Sequence, residues 1–116
     1  MSRSSLIVAT ATVALVGVAP AHAALPKLNA TVGPGFDITL KRNGAKVTRI
    51  APGKYTLVVT DKSSIHNFHL VGPGVRIDSG IARTGAKTYT VALRKGTYRF
   101  LCDPHELVMH GSFRVG

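Results

Sequence analysis

Turn-forming residues interrupt this chain at short intervals, which leaves room for short strands and little else. These turn-forming sequences are Asn43-Gly44, Pro52-Gly53, Gly72-Pro73-Gly74 and Lys95-Gly96. Glycine adopts the positive φ values that tight turns need, and proline cannot continue the hydrogen-bond ladder of a central strand. The spacing therefore predicts an all-β architecture with no helix between residues 24 and 116.

The segments between these turns carry the sequence patterns of strands. Phe36-Asp37-Ile38-Thr39-Leu40 and residues 97–102 alternate apolar and polar positions, the period of a strand with one buried face. Residues 55–60 are rich in β-formers, and residues 65–71 predict a further strand. Residues 24–29 predict only a loose lead-in. Seven or eight such strands predict a Greek-key antiparallel β-sandwich.

The first 23 residues have the three parts of a secretory signal peptide. Arg3 supplies the positive charge, residues 6–19 form an uncharged apolar run, and Ala21-His22-Ala23 offers small residues where a signal peptidase cleaves. The apolar run is short for a membrane span, which needs about 20 residues. We therefore expect cleavage near Ala23 and export of one domain, residues 24–116, to the periplasm, the cell envelope or the medium.

The balance of charges restricts the class of partner. The chain has 15 Lys and Arg against 5 Asp and Glu, and a formal net charge of +10. The basic residues are spread along the sequence, which is typical of a solvated surface. They favour an acidic redox partner or association with an anionic cell envelope. Few aromatic residues can stack on bases, so we expect no nucleic acid partner, and we expect a monomer.

The single cysteine, Cys102, is the most informative residue for function. It can form no internal disulfide, and a free thiol is a liability in an oxidising compartment. Its thiol is therefore either buried and unreactive, or used to bind a metal or to react. Tyr98, Phe100 and Cys102 share one face of the predicted strand, and Pro104 turns the chain directly afterwards. This places Cys102 at the end of a strand, pointing inward.

The loop after Cys102 is rich in metal-binding side chains. His105, Met109 and His110 follow in the same short segment. Soft sulfur ligands combined with imidazole select copper, and two His, one Cys and a weak axial Met form the blue-copper electron-transfer site. The loop supplies one clear histidine, so the second ligand of this type has to come from another strand.

The upstream candidates for that second histidine are His66 and His69. In a regular strand they lie on opposite faces, so both cannot bind one metal ion. Phe68 lies on the same face as His66, and an aromatic residue favours the inward face. The register therefore predicts His66 as the inward histidine and His69 as a surface residue.

At this point the sequence resembles a known family. Cys102-Asp103-Pro104-His105-Glu106-Leu107-Val108-Met109-His110-Gly111 is similar to the copper loop of plastocyanin- and azurin-like cupredoxins. In that family the loop follows a Y-x-F-x-C strand, as residues 98–102 do here, and ends in M-x-G, as residues 109–111 do. The upstream ligand of the family belongs to a His-Asn pair, which His66-Asn67 matches.

The resemblance implies a site and a role. It makes His66, Cys102, His105 and Met109 the ligands of one copper ion that cycles between Cu(I) and Cu(II). It implies that Asn67 joins the two ligand segments by hydrogen bonds near Cys102, and that His105 is partly exposed and passes the electron. The predicted function is an exported blue-copper protein that carries single electrons and is not an enzyme.

Other functions use the same residues. An exported copper carrier or buffer that delivers copper to an oxidase needs no different ligand set. A nucleophilic cysteine enzyme could pair Cys102 with His105, but this chain is too small for much of a cleft. Zinc is disfavoured because structural zinc sites usually carry two or more thiolates. In a metal-free structural domain, Cys102 is a buried thiol, Met109 fills the core, and His110 lies on the surface.

Overall fold

The computed structural model describes residues 4–12 and 24–116. Residues 4–12 are exposed and lie outside the sandwich, and the predicted cleavage site at residues 21–23 falls outside the described residues. No helix in the described part of the chain is long and apolar enough to cross a membrane. Apart from a 3₁₀ helix at Asp103–His105, the regular structure described is all strand.

Ten strands build the domain. In chain order they are β1 (Lys27–Val32), β2 (Ile38–Arg42), β3 (Ala45–Lys46), β4 (Arg49–Ile50), β5 (Gly53–Asp61), β6 (His69–Gly72), β7 (Val75–Asp78), β8 (Gly85–Leu93), β9 (Gly96–Leu101) and β10 (His110–Val115). One sheet has the order β3-β2-β1-β5-β8, and the other has the order β4-β10-β9-β6-β7.

The predicted all-β sandwich is confirmed, with two differences in detail. The structure has ten strands instead of the predicted seven or eight, and two of the ten are only two residues long. The pairs β1–β5 and β4–β10 are parallel, while the other pairs are antiparallel, so both sheets are mixed. A parallel pair needs a long connection, and here the chain makes it by moving between the two sheets.

The core lies between the two sheets and follows the alternation of the strands. Along β5, Tyr55, Leu57 and Val59 are buried, while the residues between them are partly exposed. Phe100 of β9 stacks on Phe68 with ring centroids 5.6 Å apart. Each buried side chain of this size contributes about 1.5–3 kcal/mol. In the described part of the chain, every core residue lies within the range from β1 to β10.

The lead-in predicted at residues 24–29 is wrong from Lys27 onward. These residues begin β1, which lies between β2 and β5 and pairs with both. Leu28, Ala30 and Val32 are buried on its inner face. Ala and Asn are poor strand formers by propensity, and pairing on both sides outweighs that preference here.

The hairpin predicted at Asn43-Gly44 is present. Both residues have positive φ, 49° and 78°, as the favoured two-residue hairpin turn requires. The return strand, however, ends after β3. The chain then crosses to the second sheet, where β4 pairs with β10. The residues after the turn predict a return strand over 47–50, but only Arg49–Ile50 of these form a strand, and it lies in the second sheet.

Strand direction gives the sandwich two distinct ends. At one end β5, β7 and β9 finish while β6 and β10 begin, so the loops that carry His66, Cys102, His105 and Met109 meet there. We call this the site end. At the opposite end lie the tight turns, including Asn43-Gly44.

Candidate metal centre

Two imidazole rings and one thiol converge at the site end. The Nδ1 atoms of His66 and His105 each lie 3.6 Å from Sγ of Cys102 and 3.1 Å from one another. A point equidistant from these three atoms lies about 2.0 Å from each, the length of a metal–nitrogen bond. Among the described residues, this is the only such group of three metal-binding side chains.

The chemistry of these donors fits copper. One thiol and two imidazoles combine a soft sulfur with nitrogen ligands, a set that selects copper over hard cations. His66 and Cys102 are fully buried, whereas His105 is only partly buried. Nε2 of His66 is buried and has no hydrogen-bond partner among the described residues. Nδ1 of His66, by contrast, lies 3.6 Å from Sγ of Cys102, so this nitrogen is the one placed to bind the same ion as the thiol.

The loop after β9 is held by its own backbone. Pro104 lies in the first turn of the 3₁₀ helix, and the N–H of His105 donates to the carbonyl of Cys102 at 3.1 Å. The N–H of Met109 donates to the carbonyl of His105 at 2.8 Å, and the N–H of Cys102 donates to the carbonyl of Met109 at 3.0 Å. These bonds fix the distance between the two loop donors before any metal binds.

His66 faces inward as predicted, although not for the predicted reason. The strand expected over residues 65–71 begins only at His69. Before it, His66, Asn67 and Phe68 are all fully buried, so the alternation expected of a strand does not hold. His69 is not in the cluster, and it is partly buried rather than the surface residue that the register predicts. Its Nδ1 instead lies 3.1 Å from Oδ1 of Asp103.

Asn67 connects the two donor segments. Its Oδ1 accepts a hydrogen bond from the N–H of Asp103 at 2.8 Å, and its Nδ2 donates to Oδ2 of Asp103 at 2.6 Å. Nδ2 also donates to Oδ1 of Asp78 at 3.0 Å. This bond from Asn67, followed by one from the N–H of Gly80, lowers the pKa of Asp78. The residue after His66 is thus fastened to the residue after Cys102.

The fourth predicted ligand, Met109, is fully buried at the end of the loop. Its backbone bonds to both Cys102 and His105, which places the residue beside two of the three clustered donors. Coordination by its thioether stays a prediction. His110, which follows it, is exposed, and its Nδ1 lies 2.8 Å from the carbonyl oxygen of Glu106.

Phe36 is a site residue that sequence reasoning missed. Its ring packs edge-on against the ring of His105, with centroids 4.9 Å apart, and against the ring of His66 at 5.6 Å. The predicted strand placed Phe36 on a buried face, but β2 begins only at Ile38, and Phe36 is 60% exposed. The preceding Gly33-Pro34-Gly35 indicates a loop, yet no local pattern reveals that this loop reaches the imidazoles.

Gly33, in the same loop as Phe36, also lies against the ring of His66. A Cβ on Gly33 would lie 3.1 Å from Cδ2 of His66 and 3.1 Å from Cβ of Ser63, so the backbone approaches the ring closely. The N–H of Ser63 donates to Oδ1 of Asp61 at 3.0 Å. Burial raises the pKa of Asp61, while the bond from Ser63 and the nearby His66 oppose that rise.

The comparisons with known proteins bear on the fold. No family model matches the chain, and no curated protein matches it. Among solved structures, reduced rusticyanin is 20% identical, with 78% of each chain covered and a TM-score of 0.59. Rusticyanin from Thiobacillus ferrooxidans is 23% identical, with 78% of this chain and 76% of that chain covered and a TM-score of 0.50.

A mutant of amicyanin in its Cu(I) form is also similar. It is 15% identical, with 78% of this chain and 83% of that chain covered and a TM-score of 0.52. These likenesses show that the chain has the fold of the cupredoxins, the class of protein that its sequence resembles. In this chain, the sandwich has a cluster of two histidines and one cysteine at one end.

Proposed function

We propose that this protein is an exported blue-copper electron carrier that binds one copper ion through His66, Cys102, His105 and Met109. The observation that carries the proposal is the convergence of two Nδ1 atoms and one Sγ within 3.6 Å of one another at the site end. The fold is shared with rusticyanin, which is described as a copper protein, and with amicyanin, which is described in a Cu(I) form.

The bound copper would supply a one-electron couple, and the residues of the chain would keep its surroundings constant. Asn67 ties the loop of His66 to the loop of Cys102 by two hydrogen bonds to Asp103, and to the end of β7 by one to Asp78. Backbone bonds close the segment from Cys102 to Met109. Donors held in place in this way need little rearrangement when the charge of the ion changes, which suits a carrier rather than an enzyme.

His105 is the best placed residue to pass the electron. It is the one clustered donor that is not fully buried. Exposed apolar side chains from three loops lie at the same end of the sandwich: Phe36, Ile65, Leu107 and Val108. An apolar contact gives a redox partner a dry approach to the ring of His105 without a long-lived complex.

The acidic redox partner expected from the net charge stays a proposal. Charge alone does not guide such a partner to the site end, because Asp103 and Glu106 lie in the same loop as His105. The apolar side chains of the site end are the stronger argument for where the partner docks.

The test of the function is a comparison of redox cycling with metal exchange. Residues 24–116 loaded with copper should be reduced and reoxidised reversibly in a potentiometric titration, and should keep the metal in the presence of a chelator. Met109→Ala should shift the potential while the copper stays bound, because the axial bond is weak. Rapid transfer of copper to the chelator by the unmodified protein would contradict electron transfer and favour a copper carrier.

Export is tested separately on the whole chain. Expressed in a bacterium, the protein should be recovered outside the cytoplasm with Ala24 as its first residue, as determined by mass spectrometry of the intact protein. Recovery of the uncleaved chain from the cytoplasm would contradict this part of the proposal and leave the copper site untouched.

A further inference from the structure

The charges of the chain are divided between the two ends of the sandwich. All five acidic residues lie at the site end, before β2, at the ends of β5 and β7, or in the loop after β9: Asp37, Asp61, Asp78, Asp103 and Glu106. The opposite end, where β2, β8 and β10 finish, carries no acidic side chain among the described residues. We call it the basic end, after Arg42, Lys46, Arg49, Lys54, Arg94 and Lys95.

These basic residues surround two shallow cavities. Arg42, Lys46 and Arg49 line a cavity of about 370 Å³ beside the Asn43-Gly44 turn. Lys54 and Arg94 line a second cavity, of about 360 Å³, on the other side of the same end. Guanidinium groups bind phosphate through paired hydrogen bonds, and lysines add point charges. The basic end therefore offers several separate positions for phosphate groups.

Most charges of the basic end are exposed and, within residues 24–116, have no acidic side chain beside them. No ion pair in the described part of the chain includes any of the six basic residues. All are exposed except Arg42, which is partly buried and whose guanidinium lies 5.7 Å from the ring centroid of Tyr55. Arg49 differs from the others, because its Nε donates to the backbone oxygen of Gly116 at 2.6 Å, and this bond occupies part of its guanidinium.

The position of this charge argues against a redox partner as its target. β5 runs from Gly53 at the basic end to Asp61 at the site end. Its nine residues span about 26 Å at about 3.3 Å per residue. A protein bound to the basic end would be separated from His105 by the length of the sandwich, so this charge is badly placed to hold a partner that exchanges electrons at His105.

The chain enters the fold at the basic end. β1 begins there with Lys27, and the carbonyl of Pro26 accepts a hydrogen bond from the N–H of Thr56 at 2.9 Å. Residues 1–23, with their apolar run at 6–19, are therefore joined to the sandwich at this end. If that segment enters a membrane during export, the basic end is the part of the domain that faces the lipid headgroups.

We propose that the basic end docks on the phosphate groups of an anionic lipid surface, so that the site end points away from the membrane. Each basic residue near such a surface strengthens binding about fivefold. The geometry would leave His105 and the apolar side chains around it free for a redox partner. The docking depends on the fold and the charges and does not require copper.

The test is binding of metal-free residues 24–116 to phosphatidylglycerol vesicles, with phosphatidylcholine vesicles as the neutral surface. The protein should sediment with the first and not with the second, and salt should release it. The variant Arg42→Gln/Lys46→Gln/Arg49→Gln should bind about 100-fold more weakly. Lys54→Gln/Arg94→Gln/Lys95→Gln should show a similar loss, and this variant keeps the contact between Arg42 and the ring of Tyr55.

The matched control removes the same number of charges at the site end. Lys62→Gln/Arg83→Gln/Lys87→Gln should keep most of the binding, with circular dichroism confirming that each variant folds. Equal losses in all three variants would overturn the proposal, because net charge alone would then explain the binding. Failure of the unmodified protein to bind vesicles at physiological salt would also overturn it. Retention on immobilised polyglutamate without vesicle binding would indicate an acidic protein instead.

Discussion

The site end and the basic end are closed by loops of different design. At the site end, buried polar side chains join one loop to another, as Asn67 does with Asp103 and Asp78. At the basic end, tight turns close the strands; the hydroxyl of Tyr98 donates to the carbonyl of Arg94 and accepts from its N–H, and the hydroxyl of Tyr55 donates to the carbonyl of Ala51. The comparison fits the two proposals, in which the ordered end would hold an ion and the exposed charge of the other end would meet a membrane surface.

The largest change should follow from removing the link between the two donor loops. Asn67→Ala leaves Asp103 and Asp78 without the amide that bonds both. We expect the free energy of unfolding of the metal-free protein to fall by about 3 kcal/mol, since the buried Asn67 side chain loses three hydrogen bonds that each contribute about 1 kcal/mol. Urea denaturation measures this, and Asn29→Ala, on the exposed face of β1, is the control. Equal effects of the two substitutions would contradict the role given to Asn67.

A pair of glycine substitutions separates stability from the metal site. A Cβ on Gly72 would overlap the ring of Tyr98 near the basic end, and a Cβ on Gly111 would overlap the ring of Phe100 near the site end. Each alanine variant should lose about 1–3 kcal/mol of stability. Only Gly111→Ala, two residues after Met109, should also alter the copper spectrum. An altered spectrum in Gly72→Ala would show that the two ends are not independent.

A smaller effect is expected from the exposed ring over the imidazoles. Phe36→Ala should change the free energy of unfolding by less than about 1 kcal/mol, because the side chain is largely exposed. Removal of copper by a chelator should nevertheless become faster, since the ring covers His66 and His105. Leu107→Ala, at a residue 92% exposed in the same end, is the control. Equal rates of copper release in both variants would contradict the role of Phe36 in covering the site.

The smallest predicted effect is a dependence on pH. The pKa of Asp61 is raised by burial, so the folded state binds this proton more readily than the unfolded state. Stability is therefore lost as the pH rises from the usual value of 3.8 through the pKa of the folded state. Asp61→Asn should make the protein more stable at pH 7, and thermal unfolding across pH measures the difference.

Asp78 gives the opposite sign and serves as the comparison. Its pKa is lowered, so its contribution is present above 3.8 and is lost as the pH falls through the pKa of the folded state. Asp78→Asn should therefore lower stability at pH 7. The same sign of change in both variants would contradict the distinction between the buried and the hydrogen-bonded carboxylate.

Local features of the sequence predicted much of the fold and the site. The turn at Asn43-Gly44 and the inward face of Tyr98 and Phe100 follow from short-range rules, and the structure has both. Cys102 and His105 lie in one loop, so their proximity could be read from the sequence. His66 faces inward as the sequence predicts. Its segment, however, is an irregular run of three consecutive buried residues, and the alternation of a strand cannot predict such a run.

Other features depend on contacts between distant segments. Lys27–Val32 forms a strand because β2 and β5 pair on either side of it, in spite of its Ala and Asn. Phe36 reaches the imidazoles across a loop whose path no local pattern reveals. The basic residues appear dispersed in the sequence, and only the direction of each strand shows that the acidic side chains lie at the opposite end from most of them.

The most direct test of the central claim is the visible absorption spectrum of residues 24–116 after addition of Cu(II). The account predicts an intense thiolate-to-copper band, abolished by Cys102→Ser and by His66→Ala and retained by His69→Ala. A colourless unmodified protein with no bound copper would contradict the proposed centre, and loss of the band in His69→Ala with its retention in His66→Ala would contradict the choice of ligand.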